Sequence, residues 1–363
     1  MARQLQTDKI LFGAVVILVL FGVVMVFSAS AVIASERYGS SYYYLIRQGI
    51  WAIFGLAIMV FMMNVDYRRL SNPLVIFPAL GAQVLLLFIA LFLHPLNNTR
   101  RWLHAGAISF QPSELAKIVV IVFLAYFLKM RKDEISDWKR IILPVGLVVG
   151  TDALLILKEP DFGTTLALGL IVAAMLYAAG LPLVYFGYGL LAAFPMIFLL
   201  IFHVGYRYKR MLAFLHPDAD PLGTGFQILQ SYIAVGTGGI TGLGLMEGKE
   251  KLFFLPEPQT DFIFAVISEE LGFIGAVLVL ILFGIILWRG LRAAARCSDD
   301  FGRLLAIGLT VMVVGQALVN ISVVIGLLPT KGIPLPLVSY GGSSLIMTLL
   351  AVGILLNISQ NTS

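Results

Sequence analysis

Long apolar segments dominate the chain, and their number and length restrict what it can fold into. A helix that crosses the hydrocarbon core of a bilayer needs about 20 mostly apolar residues. Hydrophobic residues make up 60% of the chain, charged residues 12%, and the mean hydropathy is +0.96, so a soluble fold would lack polar surface. We therefore predict an all-α polytopic membrane protein with about ten transmembrane helices. The approximate spans are 10–33, 46–63, 74–93, 113–129, 141–157, 162–180, 182–203, 262–288, 304–326 and 343–358.

The largest interruption, residues 204–261, separates the seventh and eighth spans. It is rich in glycine but also contains apolar residues such as Phe226, Ile228 and Ile233, which a flexible linker would not need. We expect an ordered loop with short helices at the membrane surface. The chain shows no repeat of fixed period and no low-complexity tract, so one membrane domain over residues 1–363 accounts for it.

Basic residues orient the predicted helices. An even number of spans puts both termini on one side, and the positive-inside tendency places that side in the cytoplasm and the 204–261 loop outside. The cytoplasmic loops would hold Arg68, Arg69, Arg131, Lys132, Lys139, Arg140, Arg289, Arg292, Arg296 and Arg303. Topology and anionic lipid explain the net charge of +5 better than a nucleic-acid partner does.

Short loops on the opposite side nevertheless contain Arg100, Arg101, Lys158 and Lys331. Two interpretations carry equal weight. These four cations are either ordinary exceptions to the positive-inside tendency, which is statistical, or they bind an anion at the outer surface.

Asp261 lies at the edge of a long apolar run, where an ionisable group is costly unless it is solvated or paired. Glu269 and Glu270 follow in the same helical segment, and Glu269 could share a face with Asp261. Helix capping is the structural alternative for Asp261, and pairing with a base on a neighbouring helix is the alternative for both glutamates. We favour a catalytic or ligand-binding role for Asp261.

Two further polar clusters lie near predicted helix starts. Glu114 and Lys117 are spaced i, i+3 on one face, so they could form a structural ion pair or contribute to a site. Asp161 follows a tight turn and could cap the next helix, which does not exclude a part in the site.

The segment 326–336 contains three prolines and Lys331, so it cannot continue a helix. Irregular backbone at membrane depth must line protein or a wet cavity. Free amides and a cation suit a phosphate-bearing head group, and Ser343 follows at the start of the last span. A purely structural re-entrant turn is the alternative.

The sequence gives no support for a metal site built from His and Cys, for a disulfide or for a nucleotide-binding loop. The four histidines and the single cysteine, Cys297, show no metal-ligand spacing, and one cysteine excludes an intrachain disulfide. The glycines after Val235 do not form a Walker-type loop, so we predict no nucleotide cofactor.

Taken together, these motifs resemble the SEDS family of bacterial membrane proteins (shape, elongation, division and sporulation). The resemblance covers nearly the whole chain, and the division-type members look closer than the elongation-type members. The family usually has His where this chain has Gln259. The motifs are strongest at 99–103, 159–164, 223–231, 254–272 and 326–344.

The resemblance implies a ten-helix peptidoglycan glycosyltransferase that polymerises lipid II on the outer face of the membrane. It assigns the key acid to Asp261, which as a general base would activate a sugar hydroxyl. Undecaprenyl pyrophosphate would leave as an anion, neutralised by Arg101, Lys331 or a divalent cation, Mg²⁺ or Mn²⁺. The candidate substrate-binding residues are Arg101, Lys331, Glu114, Lys117, Asp161 and Ser343.

The resemblance also implies partners: the nascent glycan strand, a class B penicillin-binding protein, and other division or elongation proteins. Three alternatives remain, namely an elongation-type polymerase, a lipid II flippase and a scaffold protein. The charged motifs cluster on the predicted outer side and not along a path through the bilayer, which favours an enzyme over a flippase. A scaffold would not need Asp261 or Lys331.

Overall fold

The computed structural model describes residues 7–93, 101–105, 108–202, 205–223, 225–252, 254–330 and 332–361. Within those ranges the chain forms twelve α-helices and a two-stranded hairpin. The helices are α1 (Lys9–Tyr38), α2 (Tyr43–Met63), α3 (Pro73–Ala90), α4 (Pro112–Met130), α5 (Trp138–Lys158), α6 (Phe162–Ala179), α7 (Leu183–Phe202), α8 (Gly205–Leu215), α9 (Phe226–Thr237), α10 (Ile263–Arg296), α11 (Asp300–Val324) and α12 (Gly342–Asn361).

Each predicted span coincides with a long helix, and α8 and α9 lie in the segment between the seventh and eighth spans. Eight helices among the described residues are long and apolar enough to cross a membrane. The other two long helices are α4 and α7. Helix α4 carries Glu114, Lys117 and Lys129, while α7 is apolar from Leu183 to Pro195.

Helices α11 and α12 are mostly buried and form the centre of the bundle. Helix α2 packs along α12, α10 packs against α11 and α1, and α4 and α6 flank α11. On the outer faces, Ile53, Leu74, Leu190 and Leu191 are each at least 71% exposed. Apolar surface of this extent needs an apolar solvent, so the bundle is a multi-pass membrane protein.

The bundle has two distinct ends. At one end, which we call the terminal end, Arg289 near the end of α10 pairs with Asp8 before α1 at 2.7 Å. Gln360 in the last turn of α12 donates to the Thr7 hydroxyl at 3.2 Å. The start of α10 lies at the opposite end, which we call the Asp261 end.

Helix α10 is broken at Gly272, which has φ +64° and ψ −161°. The break frees the carbonyls of Glu269 and Glu270, which accept hydrogen bonds of 3.0 Å from the N–H groups of Leu243 and Gly244. A Cβ atom at Gly272 would meet the backbone nitrogen of Gly242 at 2.3 Å, so only glycine fits both the conformation and the close approach. The segment after α9 is therefore attached directly to the start of α10.

A short hairpin precedes α4 at the Asp261 end. Strand β1 (Leu103–Ala105) pairs antiparallel with β2 (Ile108–Phe110), with Leu103 opposite Phe110. Helix α4 then begins at Pro112, a residue that suits the first helical position because it lacks an N–H. This hairpin was not predicted from the sequence; the rest of the bundle is helical, as predicted.

Candidate active site

Asp261 lies in a turn immediately before α10. The N–H of Thr260 donates to the carbonyl of Glu257 at 3.1 Å and closes the turn. The Asn320 amide of α11 donates to the Asp261 carbonyl at 2.8 Å and to the Ile333 carbonyl at 2.7 Å. Asn320 therefore ties the Asp261 turn to the Pro-rich segment between α11 and α12.

The Pro-rich segment makes two more bonds to the same turn. The Tyr340 N–H donates to the Gln259 carbonyl at 2.9 Å, and the Ser339 hydroxyl donates to the Thr260 carbonyl. Irregular backbone inside a membrane bundle must find such partners, because lipid supplies none. As a result, Asn320 of α11 and two groups of the Pro-rich segment hold the backbone beside Asp261.

The Asp261 carboxylate itself caps no helix. Helix α10 starts after Phe262 without a side-chain cap, and no N–H or O–H group of the described residues donates to the carboxylate. The capping alternative for Asp261 therefore finds no support. Asp261 lines a cleft that is open to solvent. The cleft is lined by Arg210, Gln227, Pro256, Glu257, Asp261, Phe262, Thr330 and Gly332.

Burial raises the pKa of Asp261 from 3.8 to about 7, because the charged form loses hydration. The positive charges of Arg101 and Arg210 oppose this rise in the pKa, and the negative charges of Glu257 and Asp161 add to it. The result is a carboxyl group that exchanges its proton near neutral pH, as a general base must.

Arg101 lies just before β1 and contacts the connection between α5 and α6. Its Nη1 atom is 3.7 Å from the Asp161 carboxylate, and its Nη2 atom is 3.4 Å from the carbonyl oxygen of Pro160. Arg101, Asp161 and Asp261 thus lie at one end of the bundle, close enough for the two charges to influence the pKa of Asp261.

Asp161 does cap α6. Its carboxylate accepts from the Thr164 N–H at 3.0 Å and from the Thr164 hydroxyl at 2.8 Å, and the Gln111 amide donates to it at 3.2 Å. Asp161 is buried, so these bonds replace the water that a carboxylate needs. The cap and the contact with Arg101 involve the same carboxylate.

The neighbouring Glu159 is fully buried, and neither of its carboxylate oxygens has a hydrogen-bond partner among the described residues. Burial, together with the charge of Asp161, raises its pKa to about 8, and the charge of Arg101 opposes this. Glu159 is the first residue of the 159–164 motif, and no role was predicted for it.

Glu114 and Lys117 form a buried ion pair of 2.9 Å on α4. Lys117 also donates to the Gln316 carbonyl oxygen of α11 at 2.7 Å, and the Gln316 amide donates to the Pro334 carbonyl at 3.2 Å. Neither Glu114 nor Lys117 lines the Asp261 cleft. Their contacts support the ion-pair alternative, with a link to the Pro-rich segment.

Glu269 and Glu270 bind the segment after α9 and not a base on a neighbouring helix. Lys251 pairs with Glu270 at 2.6 Å, and the Ser28 hydroxyl of α1 donates to the same carboxylate at 2.7 Å. Glu269 accepts from the Lys249 N–H at 2.6 Å. These carboxylates therefore attach the segment after α9 to the bundle.

The remaining candidates are Ser343 and Lys331. Ser343 is buried in the first turn of α12, and its hydroxyl has no partner within the described ranges. Lys331 lies outside the described residues, so its role stays a prediction.

Sequence reasoning missed Arg210, Glu257 and Asn320 as members of the site. Arg210 is one of several cations between the seventh and eighth spans, and nothing in the sequence separates it from the others. Asn320 had a usable signal, because a polar side chain within an apolar span generally faces the bundle interior.

Several known proteins are similar along their whole length. A profile of the cell cycle protein family of FtsW, RodA and SpoVE matches residues 8–363. The probable peptidoglycan glycosyltransferase FtsW of Geobacter sulfurreducens is 44% identical over 357 residues, which cover 97% of this chain and 95% of that protein. Stage V sporulation protein E of Bacillus subtilis is 41% identical over 367 residues, covering 99% and 98%.

Two solved structures show the same fold. A chain from a peptidoglycan synthase complex that coordinates polymerization and crosslinking has a TM-score of 0.81 and 32% identity, over 98% of each chain. The rod shape determining protein RodA of Thermus thermophilus has a TM-score of 0.73 and 29% identity, over 99% of this chain and 98% of that one. With the motifs around Asp261, these matches show that the chain belongs to the FtsW, RodA and SpoVE family of cell cycle proteins, the SEDS family.

Proposed function

We propose that this protein is a peptidoglycan glycosyltransferase that polymerises lipid II into glycan strands during cell division and releases undecaprenyl pyrophosphate. One observation carries the proposal: Asp261 presents an uncapped carboxylate, with a pKa near neutrality, to a cleft flanked by arginines. The names of the full-length relatives agree with this chemistry.

Asp261 takes the proton from the acceptor sugar hydroxyl as that oxygen attacks the anomeric carbon of the donor. A hydroxyl is a poor nucleophile at neutral pH, and a base whose pKa lies near the working pH is the most effective. Attack opposite the leaving group inverts the anomeric centre. The hydrogen bonds from Asn320, Ser339 and Tyr340 to the turn keep the base at a constant position.

The pyrophosphate leaving group needs positive charge more than a proton. Arg210 lines the cleft, and Arg101 lies near enough to affect the pKa of Asp261. Lys331, outside the described residues, is the third proposed cation. The other proposed substrate-binding residues are Glu114, Lys117, Asp161 and Ser343. Among these four, only Asp161 contacts Arg101.

A divalent cation would neutralise the pyrophosphate further. The described residues contain no group of three or more His, Cys, Asp or Glu side chains that could hold a metal ion. Mg²⁺ commonly takes one or two carboxylates together with substrate phosphates, and Asp261 and Glu257 are the carboxylates that line the cleft. The donors present therefore fit a cation that arrives with the lipid pyrophosphate.

We propose that both termini are cytoplasmic and that the cleft and residues 204–261 face outward. The terminal end supports this orientation, since Lys129 and Lys132 lie there in ion pairs of 3.1 and 2.8 Å with Asp299 and Asp300. Single cysteines placed in 204–261 on a Cys297-free background should react with an impermeant reagent from outside. Reaction only from the cytoplasmic side would reverse the orientation.

The proposed partner is a class B penicillin-binding protein that crosslinks the nascent strand. The similarity to a chain of a synthase complex supports such a pairing. Other division or elongation proteins are further proposed partners, and no nucleic acid is among them.

The test is polymerisation by the purified protein. Labelled lipid II is supplied with and without a class B penicillin-binding protein, and glycan strands are separated on a gel. We expect strands that depend on the protein and increase in the complex. Movement of lipid II across vesicle membranes without any polymer would instead support the flippase.

A further inference from the structure

Helix α10 ends with an aromatic side chain and two cations at the terminal end. Trp288, Arg292 and Arg296 follow one another at intervals of four residues, so they lie on successive turns along one side of the helix. Trp288 is 55% exposed, and the guanidinium carbon of Arg292 is 5.8 Å from the centre of one of its rings. Arg296 is exposed in the last turn. We call these three residues the α10 basic face.

The two arginines of the α10 basic face have no acidic partner within the described ranges. Their neighbours do have partners, since Arg289 pairs with Asp8 at 2.7 Å and Arg303 pairs with Asp300 at 2.9 Å. Two like charges four residues apart on a helix repel each other. An anion bound to both guanidinium groups would remove this repulsion.

The nearest carboxylate on the neighbouring helix α1 is already engaged. Besides pairing with Arg289, Asp8 accepts a hydrogen bond of 3.1 Å from the Leu11 N–H and so caps α1. The next residue, Lys9, is exposed and adds a further positive charge at the same junction of α1 and α10. The missing anion at this junction therefore has to come from outside the chain.

An exposed apolar strip leads along α10 to the α10 basic face. Ile274, Ile281 and Trp288 recur at seven-residue intervals, which places them on one side of the helix. Ile274 is 59% exposed and Ile281 is 52% exposed. Tryptophan is enriched where the hydrocarbon of a bilayer meets its head groups. Apolar surface, interfacial ring and cations thus follow in the order of the acyl chains, glycerol and phosphate of a phospholipid.

The end of α10 offers a second explanation for one of the arginines. The carbonyl groups of a helix C-terminus carry partial negative charge, which a cation in the last turn stabilises. Arg296 alone would satisfy this requirement. It accounts neither for Arg292, one turn earlier, nor for an exposed Trp288 beside it.

We propose that the α10 basic face binds the phosphate of an anionic phospholipid in the leaflet at the terminal end, with the acyl chains against the strip that contains Ile281. Guanidinium groups bind phosphate oxygens in pairs, and their apolar stems can lie along the hydrocarbon. A zwitterionic head group carries its own cation and should bind more weakly. The site lies at the end of the bundle opposite Asp261, so the inference does not rest on the proposed function.

The test is native mass spectrometry of the full-length protein in detergent. Phosphatidylglycerol and phosphatidylcholine with identical acyl chains are added in equal amounts, and the lipid retained by the protein is counted. The natural protein should retain phosphatidylglycerol in preference. Arg292→Gln combined with Arg296→Gln should lower the affinity for phosphatidylglycerol about tenfold and leave that for phosphatidylcholine unchanged.

The matched control is Arg131→Gln combined with Arg140→Gln. It removes the same two charges from the same end, but both of these arginines already pair with Glu134. The control should retain phosphatidylglycerol as the natural protein does. An equal loss in the control would mean that only net charge matters and would overturn the inference.

Three further results would also contradict the proposed lipid site. The first is a natural protein that retains both lipids equally. The second is displacement of phosphatidylglycerol by an equal concentration of inorganic phosphate, which would assign the α10 basic face to a soluble anion. The third is unchanged lipid retention by Arg292→Gln with Arg296→Gln, and a lower midpoint of thermal unfolding in that variant would then assign the arginines to the helix end.

Discussion

Asp261→Asn should make the protein more stable at alkaline pH. The folded protein raises the pKa of Asp261 from 3.8 to about 7, so ionising this group in the fold is unfavourable. At about 1.4 kcal/mol per pKa unit, the difference corresponds to at most about 4 kcal/mol. Because the side chain is partly exposed and the cleft is open to solvent, we expect about 1–2 kcal/mol.

The sign follows from proton binding. Between about pH 4 and pH 7 the folded state holds the Asp261 proton more tightly than the unfolded state does. This group's contribution to stability is therefore complete below about pH 4 and is lost progressively as the pH rises to about 7. Asn cannot ionise, so the variant and the natural protein should differ little at pH 4 and most at about pH 8.

The assay is thermal unfolding in lipid nanodiscs at both pH values. The apparent midpoint of Asp261→Asn should exceed that of the natural protein at the higher pH only. Asp133→Asn is the matched control, because Asp133 is exposed and the same substitution there removes no buried charge. An Asp261→Asn protein that is equally or less stable at the higher pH would refute the claim that burial opposes this charge.

Three other substitutions test parts of the site and its support. Lys251→Met should lower the free energy of unfolding by about 3–5 kcal/mol by leaving Glu270 unpaired, and Lys251→Met with Glu270→Leu should recover most of it in thermal unfolding. Asn320→Leu should reduce kcat by about 10- to 100-fold with little change in KM, because the Asp261 turn loses a restraint. Asp161→Asn should keep the bond from the Thr164 N–H that caps α6 but lower polymerisation, since the charge facing Arg101 is gone.

The positions of the long helices could be predicted because each span must satisfy its own backbone hydrogen bonds and cover itself with apolar side chains. Both requirements are local, so composition along the chain reveals them. The break at Gly272 has a different origin. It depends on the N–H groups of Leu243 and Gly244, which donate to the carbonyls of Glu269 and Glu270 that lack a partner within the helix. The two segments are far apart in the sequence, so no local pattern predicts this pairing.

The site was predictable to the extent that its residues stood out in their own segments. Asp261, at the edge of an apolar run, was such a residue, as were Arg101 in a short loop and Asp161 after a tight turn. Arg210 was one cation among several between the seventh and eighth spans, and only the fold places it at the cleft. Asn320 acts through backbone carbonyls of two distant segments, which a sequence does not display.

The most direct test of the account is polymerisation of labelled lipid II by purified Asp261→Asn protein. The variant should insert, fold and bind lipid II, because Asn preserves the size of the side chain and the turn is held through backbone atoms. We expect glycan synthesis to fall by about a hundredfold or more, as removal of a general base requires. An Asp261→Asn protein that folds stably and still makes glycan strands at the natural rate would contradict the central claim.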